Sequence, residues 1–255
     1  MPVIKASGGE VDWPEDEGAL GIVGVAPWAT IEFCKTLYGR IGATRDWHYP
    51  RVIADINAKL PSRGRHLQLG ETDPSPAIAA TIRELYEQGA TVVVVPCNTA
   101  HILYDRWAKD APVPLPHIVR ETLKLAERAG VGYFTPLTSA SLALHDLYGK
   151  LAGEFNLHSC RLNAEEQELI SDMIDEVKRR GAITNVNLLK FDELASRLRA
   201  NGVEALIMGC TELSALQDRT RKNDLKAVDS NIALACAALR ELHMPKHLID
   251  FGENL

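Results

Sequence analysis

Two short passages of this chain, 113 positions apart, carry one device twice. The first reads Gly89-Ala90-Thr91-Val92-Val93-Val94-Val95-Pro96-Cys97-Asn98-Thr99, the second Gly202-Val203-Glu204-Ala205-Leu206-Ile207-Met208-Gly209-Cys210-Thr211-Glu212. In each, a glycine closes a helix-like stretch, an apolar run follows, and a cysteine stands eight residues after the glycine. A hydroxyl residue comes one or two positions after each sulfur. A buried strand ending in Cys and small polar residues puts a thiol at the carboxyl end of a sheet, where open α/β folds bind ligands. Two such thiols in two similar half-chains imply one site between the halves, with a sulfur on each side.

At 255 residues, 46% hydrophobic and 24% charged, the chain has the makings of a globular protein with a sizeable core. A net charge of −6 supplies no basic stripe, which argues against nucleic acid or an anionic membrane as partner. No apolar run approaches the ~20 residues that cross a bilayer. Asp12, Glu15, Asp16 and Glu17 stand where a signal peptide needs apolar residues, so a cytoplasmic protein with a loose N-terminal arm over 1–18 is expected. The five cysteines, at 34, 97, 160, 210 and 236, are odd in number and lack CxxC spacing. They read as buried thiols, ligands or nucleophiles rather than a disulfide framework.

Strand-like and helix-like runs alternate along the chain, the pattern of parallel sheets covered by helices. Strands are expected at Leu20–Val25, Arg51–Ile56, Thr91–Val95, Ala129–Phe134, Phe155–Arg161 and Ala205–Met208. Helices are expected at Ala29–Ile41, Pro76–Gln88, Thr99–Lys109, Ser139–Leu151, Glu165–Arg179, Phe191–Ala200 and Ser230–Leu242. Pro112, Pro114 and Pro116 mark the crossing between halves. Gly24 to Cys97 is 73 positions and Gly132 to Cys210 is 78, so the halves keep a similar register. The expected fold is α/β with two pseudo-symmetric lobes, each a mostly parallel sheet flanked by helices, and the active site between them. The first lobe takes residues 19–116 with 229–255 and carries Cys97; the second takes 117–228 and carries Cys210.

One thiolate can take a proton from a carbon while a facing thiol returns one to the opposite side. Such a pair inverts a stereocentre without a cofactor, if fixed hydrogen-bond donors stabilise the carbanion between them. A strand-to-helix junction favours the thiolate through the field of the helix N-terminus. The chain resembles the cofactor-independent aspartate/glutamate racemase superfamily, and within it the aspartate racemase branch. Pro96-Cys97-Asn98-Thr99-Ala100-His101 is similar to that branch's first cysteine motif and Gly209-Cys210-Thr211-Glu212 to its second. Gly24 to Thr30 resembles its opening loop, Asn57 to Arg63 its NPxIPDR segment, and Thr135-Pro136-Leu137-Thr138 its T-x-G-T loop.

The resemblance implies Cys97 and Cys210 as acid/base pair, Cys210 addressing the L-isomer and Cys97 the D-isomer. It implies that Asn98, Thr99, Thr138 and Thr211, helped by Asn57, bind the substrate's α-carboxylate and amino group. Arg63 and Lys178 match the cations that hold a distal carboxylate, and Glu212 and His101 stand as supporting residues. The implied activity is inversion of aspartate and/or glutamate, with no cofactor and no metal. The implied partner is a small acidic amino acid or dicarboxylate, with a homodimer as the assembly such a chain allows. Val25-Ala26, Ala58, Gly64 and Leu137 depart from the branch's pattern, and Trp28 adds bulk near the opening loop.

Plainer readings stand beside these. Cys34, Cys160 and Cys236 read as packing. From spacing alone Arg63 is a solvated loop residue, and Lys178 belongs to a basic run complementing a helix dipole. Thr138 and Ser141 suit a helix cap, Glu212 the first turn of a helix, and His101 a structural histidine. No HExxH, GxGxxG or GxSxG occurs. The competing functions are a maleate-type cis–trans isomerase, in which one cysteine attacks as nucleophile, and a non-catalytic binder of acidic ligands.

Overall fold

The computed structural model describes residues 18–244 and 246–251, so most of the expected N-terminal arm lies outside the described residues. Among the described residues seven strands form two sheets, all of whose ladders are parallel. In the first, β1 (Ala19–Gly24) lies between β2 (Arg51–Ile56) and β3 (Val92–Val94). In the second, β5 (His158–Ser159), β4 (Tyr133–Leu137), β6 (Ala205–Met208) and β7 (Lys226–Asp229) lie side by side in that order. Strands β1, β3 and β6 are buried along their whole length, hence their apolar runs.

Helices cover both sheets: α1 (Pro27–Gly39), α2 (Arg63–Leu69), α3 (Ser75–Glu87), α4 (Tyr104–Ala108) and α5 (Ile118–Arg128), then α6 (Ala140–His145), α7 (Leu147–Ala152), α8 (Ala164–Arg180), α9 (Asn185–Ala200), α10 (Gln217–Lys222) and α11 (Ser230–Glu241). Among the described residues no helix is long and apolar enough to cross a membrane. The largest hydrophobic cluster joins Leu20, Ile22 and Val92 of the first sheet to Phe134, Ala205 and Val228 of the second. Helices α5 and α11 contribute Leu123, Ala126, Leu234 and Leu239 to it. Separate clusters fill the outer side of each lobe.

The duplicated passages fold alike. Gly89 and Gly202 adopt φ of +99° and +87°, the left-handed stop of the preceding helix. In each, the next residue's N–H reaches back to a helical carbonyl: Ala90 to Leu85 at 3.0 Å and Val203 to Leu198 at 3.1 Å. After each cysteine the chain winds into a 3₁₀ turn, Asn98–Leu103 and Thr211–Leu216, before α4 and α10. The two-lobe α/β architecture expected from the sequence is the observed one.

Several boundaries differ from expectation. The stretch 129–134 holds a helix stop: Gly130 has φ +65° and ends α5, and the strand starts only at Tyr133. The helix expected over 139–151 breaks at Asp146, whose φ of 52° separates α6 from α7. The strand expected over 155–161 shrinks to two residues, because Asn156 turns the chain at φ 54°. Helices α2, α5 and α10 and strand β7 lie outside the expected elements.

Candidate active site

Each cysteine occupies the extended residue between strand end and 3₁₀ turn, with φ and ψ of −151° and 103° for Cys97 and −136° and 130° for Cys210. The turn closes on each cysteine's own carbonyl, which accepts from Ala100 N at 3.1 Å and from Leu213 N at 2.9 Å. Both residues are partly buried, and both line one cavity of about 570 Å³ between the lobes. Glycine is required just before Cys210: a Cβ on Gly209 would lie 2.7 Å from Thr138 Cγ2 and 2.9 Å from a Tyr148 ring carbon.

The two junctions differ electrostatically. Cys210 Sγ donates to Glu212 Oε2 at 3.0 Å, and Thr211 Oγ1 donates to the same oxygen at 3.2 Å. Burial, then the Glu212 charge and this hydrogen bond, push the Cys210 thiol well above its ordinary range, and Lys178 only partly offsets them. The thiolate preference expected from a helix N-terminus is therefore overruled at Cys210. A short 3₁₀ turn carries little dipole, and a buried carboxylate beside the sulfur outweighs it. Burial also opposes the charge on Lys178, but Cys210, Glu212 and Asp175 together raise its pKa.

Of the residues named from the sequence, Arg63, Asn98, Thr99, Lys178, Thr211 and Glu212 line the cavity with the two cysteines. Arg63 lies at the start of α2, not in a loop; its terminal nitrogens donate to Pro61 O and Val25 O, both at 3.1 Å. Its Nε is buried without a partner. Lys178 sits in the last turn of α8, 3.4 Å from Asp175. Thr99 Oγ1 meets Ser139 Oγ across the lobes at 2.8 Å.

Asn57, Thr138 and His101 stand apart from the cavity wall. Asn57 Oδ1 accepts from Lys59 N in a local turn. Thr138 is buried beneath Gly209, and Ser139, not Thr138 or Ser141, caps α6 by accepting from Leu142 N. His101 pairs through Nδ1 with the Cys97 carbonyl at 2.9 Å and packs among Tyr104, Trp107 and His117, away from the thiol.

The sequence reading missed Gln68, Ser139 and Ser171, which also line the cavity. Gln68 Nε2 donates to Ser141 Oγ at 2.8 Å, tying α2 to α6 over the opening. The signal for α2 was present: Ser62 caps it by accepting from Arg65 N, and Gly70 stops it at φ +68°. Arg65 also lines the cavity, but its Nε donates to Glu71 at 2.7 Å. Among the described residues no group of three or more His, Cys, Asp or Glu side chains could hold a metal ion.

Comparison with known proteins agrees with this fold. Residues 22–238 match the model of the Asp/Glu/Hydantoin racemase family. The broad specificity amino-acid racemase RacX of Bacillus subtilis (strain 168) is 24% identical over 212 residues, covering 80% of this chain and 86% of its own. The aspartate racemase of Picrophilus torridus superposes with a TM-score of 0.79 at 22% identity, covering 89% of this chain and 94% of its own. An aspartate racemase homologue from Pyrococcus horikoshii OT3 gives 0.74 at 21% identity, with 89% and 99% covered. With its duplicated strand-end thiols, its two parallel sheets and a family match over most of its length, this chain belongs to the Asp/Glu/Hydantoin racemase family.

Proposed function

We propose that this chain inverts the α-carbon of aspartate and/or glutamate by two-base proton transfer between Cys97 and Cys210. The observation that carries the reading is the convergence of both strand-end thiols on one cavity between the lobes. A substrate held there presents opposite faces of its α-carbon to the two sulfurs. In one direction the Cys97 thiolate takes the α-proton and the Cys210 thiol supplies one to the other face; the reverse reaction exchanges these roles. The raised Cys210 thiol suits the donor role. Glu212, 3.0 Å from its sulfur, is placed to receive its proton when Cys210 must act as base.

The carbon acid is far weaker than a thiol, so positioning and fixed donors must supply most of the rate. Thr99 and Thr211 line the cavity beside the two sulfurs and serve the α-carboxylate, with Arg63 and Lys178 for a distal carboxylate. Two thiols accomplish both proton transfers, so the mechanism calls on neither cofactor nor metal.

The test is incubation of L-aspartate and L-glutamate in deuterated water, followed by proton NMR and chiral chromatography. The reading expects loss of the α-proton signal together with the D-isomer. Because the Bacillus relative is named for broad specificity, and the cavity has room for longer side chains, the panel extends to other amino acids. Fumarate formed from maleate without α-proton exchange would replace the reading with the isomerase. Binding of acidic ligands without turnover would replace it with a binder.

A further inference from the structure

A buried chain of hydrogen bonds runs between the two cysteine-bearing strand ends. Tyr148 Oη donates to Asn98 Oδ1 at 2.8 Å, Asn98 Nδ2 donates to Ser230 Oγ at 2.9 Å, and Ser230 Oγ donates to the Met208 carbonyl at 2.7 Å. Asn98 follows Cys97 directly, and Met208 lies two residues before Cys210 on β6. Asn98, Tyr148 and Ser230 are 3%, 1% and 0% exposed.

Burying a phenol, an amide and a hydroxyl is costly unless each is paired, and here every hydroxyl donor finds an acceptor. Apolar residues would fill the same space at no such risk. What the polar chain adds is direction: it fixes the Asn98 side chain at both ends and thereby one strand end relative to the other. Two-base inversion is sensitive to that quantity, since both sulfurs must reach one carbon from opposite sides and small misplacements are costly.

We propose that Tyr148 and Ser230 are positioning residues, which through Asn98 hold Cys97 and Cys210 at the separation that inversion requires. The inference rests on the two-thiol reading above, and it predicts a defect in inversion that spares proton abstraction. When the sulfurs drift apart, either thiolate still abstracts the α-proton, the resulting thiol exchanges that proton for solvent deuterium, and the carbanion is reprotonated from the same side. Label from the solvent then accumulates in the remaining substrate instead of in its mirror image.

The experiment compares wild type, Tyr148→Phe and Ser230→Ala in deuterated water, following deuterium in residual substrate and in product separately, with unfolding midpoints as a check on folding. The expected result is inversion slowed ~10-fold or more, KM nearly unchanged, and substrate labelling outrunning product formation in both variants. Inversion at the wild-type rate, or exchange and inversion falling in equal measure, would overturn the proposal.

A second measurement needs no turnover. In a background with Cys34, Cys160 and Cys236 replaced by Ala, dibromobimane is added; each thiol gives its proton to buffer, and the thiolate then displaces one bromide and forms one C–S bond. Fluorescence develops only when both bromines are gone. Slower bridging in Tyr148→Phe and Ser230→Ala than in the parent supports the positioning role, and equal bridging contradicts it. Should the wild type show no α-proton exchange at all, the racemase reading fails, while the bridging rates still decide the role of the network.

Discussion

Lowering the pH from 7.5 to 5 should destabilise the fold through the histidine pair behind Cys97. His101 is 2% exposed, and its ring centroid lies 4.8 Å from that of His117. Burial drives the His101 pKa from 6.5 down to about 4, against the pull of the Cys97 and Pro116 carbonyls. His117 is driven lower still, by burial first and then by the charges of His101 and Arg120. The unfolded chain therefore binds protons that the native state refuses, and stability is lost as the pH falls from about 6.5 towards 4. For His101 alone the loss between pH 7.5 and 5 is about 2 kcal/mol. One buried group works the other way. Burial raises the Asp229 carboxyl to about 6 despite hydrogen bonds from Ser214 and the Asn231 and Ile232 amides. Its ionisation burdens the native state at neutral pH, so acidification to pH 5 returns roughly 1 kcal/mol. The histidines outweigh it. Urea unfolding at pH 7.5 and 5 should show the net loss in wild type. The loss should shrink by about 2 kcal/mol in His101→Gln and grow by roughly 1 kcal/mol in Asp229→Asn. An acid loss in His101→Gln equal to that of wild type would refute the reasoning.

Further outcomes follow from the same structure. Glu212→Gln removes the charge that raises Cys210, so alkylation of Cys210 by iodoacetamide should set in at lower pH than in wild type. Lys178→Met removes the opposing charge and should move the onset the other way, while also raising KM for a dicarboxylic substrate. Asn163→Ala breaks the capping box with Glu166 at the start of α8 and should cost about 1 kcal/mol in urea unfolding. Phe191→Ala empties a fully buried position of the second lobe and should cost about 3–5 kcal/mol.

The sequence carried the duplicated device plainly because its parts are local: a left-handed glycine, an apolar run and a strand-ending cysteine follow one another within nine residues. Helices α3 and α8 were equally plain, through Pro76 in a first turn and through the basic run Lys178-Arg179-Arg180 in a last turn. What escaped depended on contacts that only the fold makes. Helix α2 is too short for periodicity to show and gains its place from Ser141, 73 positions from Gln68. The high pKa of Cys210 follows from its burial and from a carboxylate two residues on that the fold turns back onto the sulfur. Asn98 lines the cavity as expected of a substrate-facing residue, but its side-chain partners Tyr148 and Ser230 lie 50 and 132 positions away. Periodicity reports burial, but it does not say which buried polar groups will meet.

The central claim is that Cys97 and Cys210 serve opposite faces of one carbon. The most direct measurement is α-proton exchange of each pure enantiomer in deuterated water with Cys97→Ser and Cys210→Ser. Neither variant should interconvert the isomers, and each should still exchange one enantiomer, a different one for each variant. Interconversion at the wild-type rate in either variant, or both exchanging the same enantiomer, would contradict it.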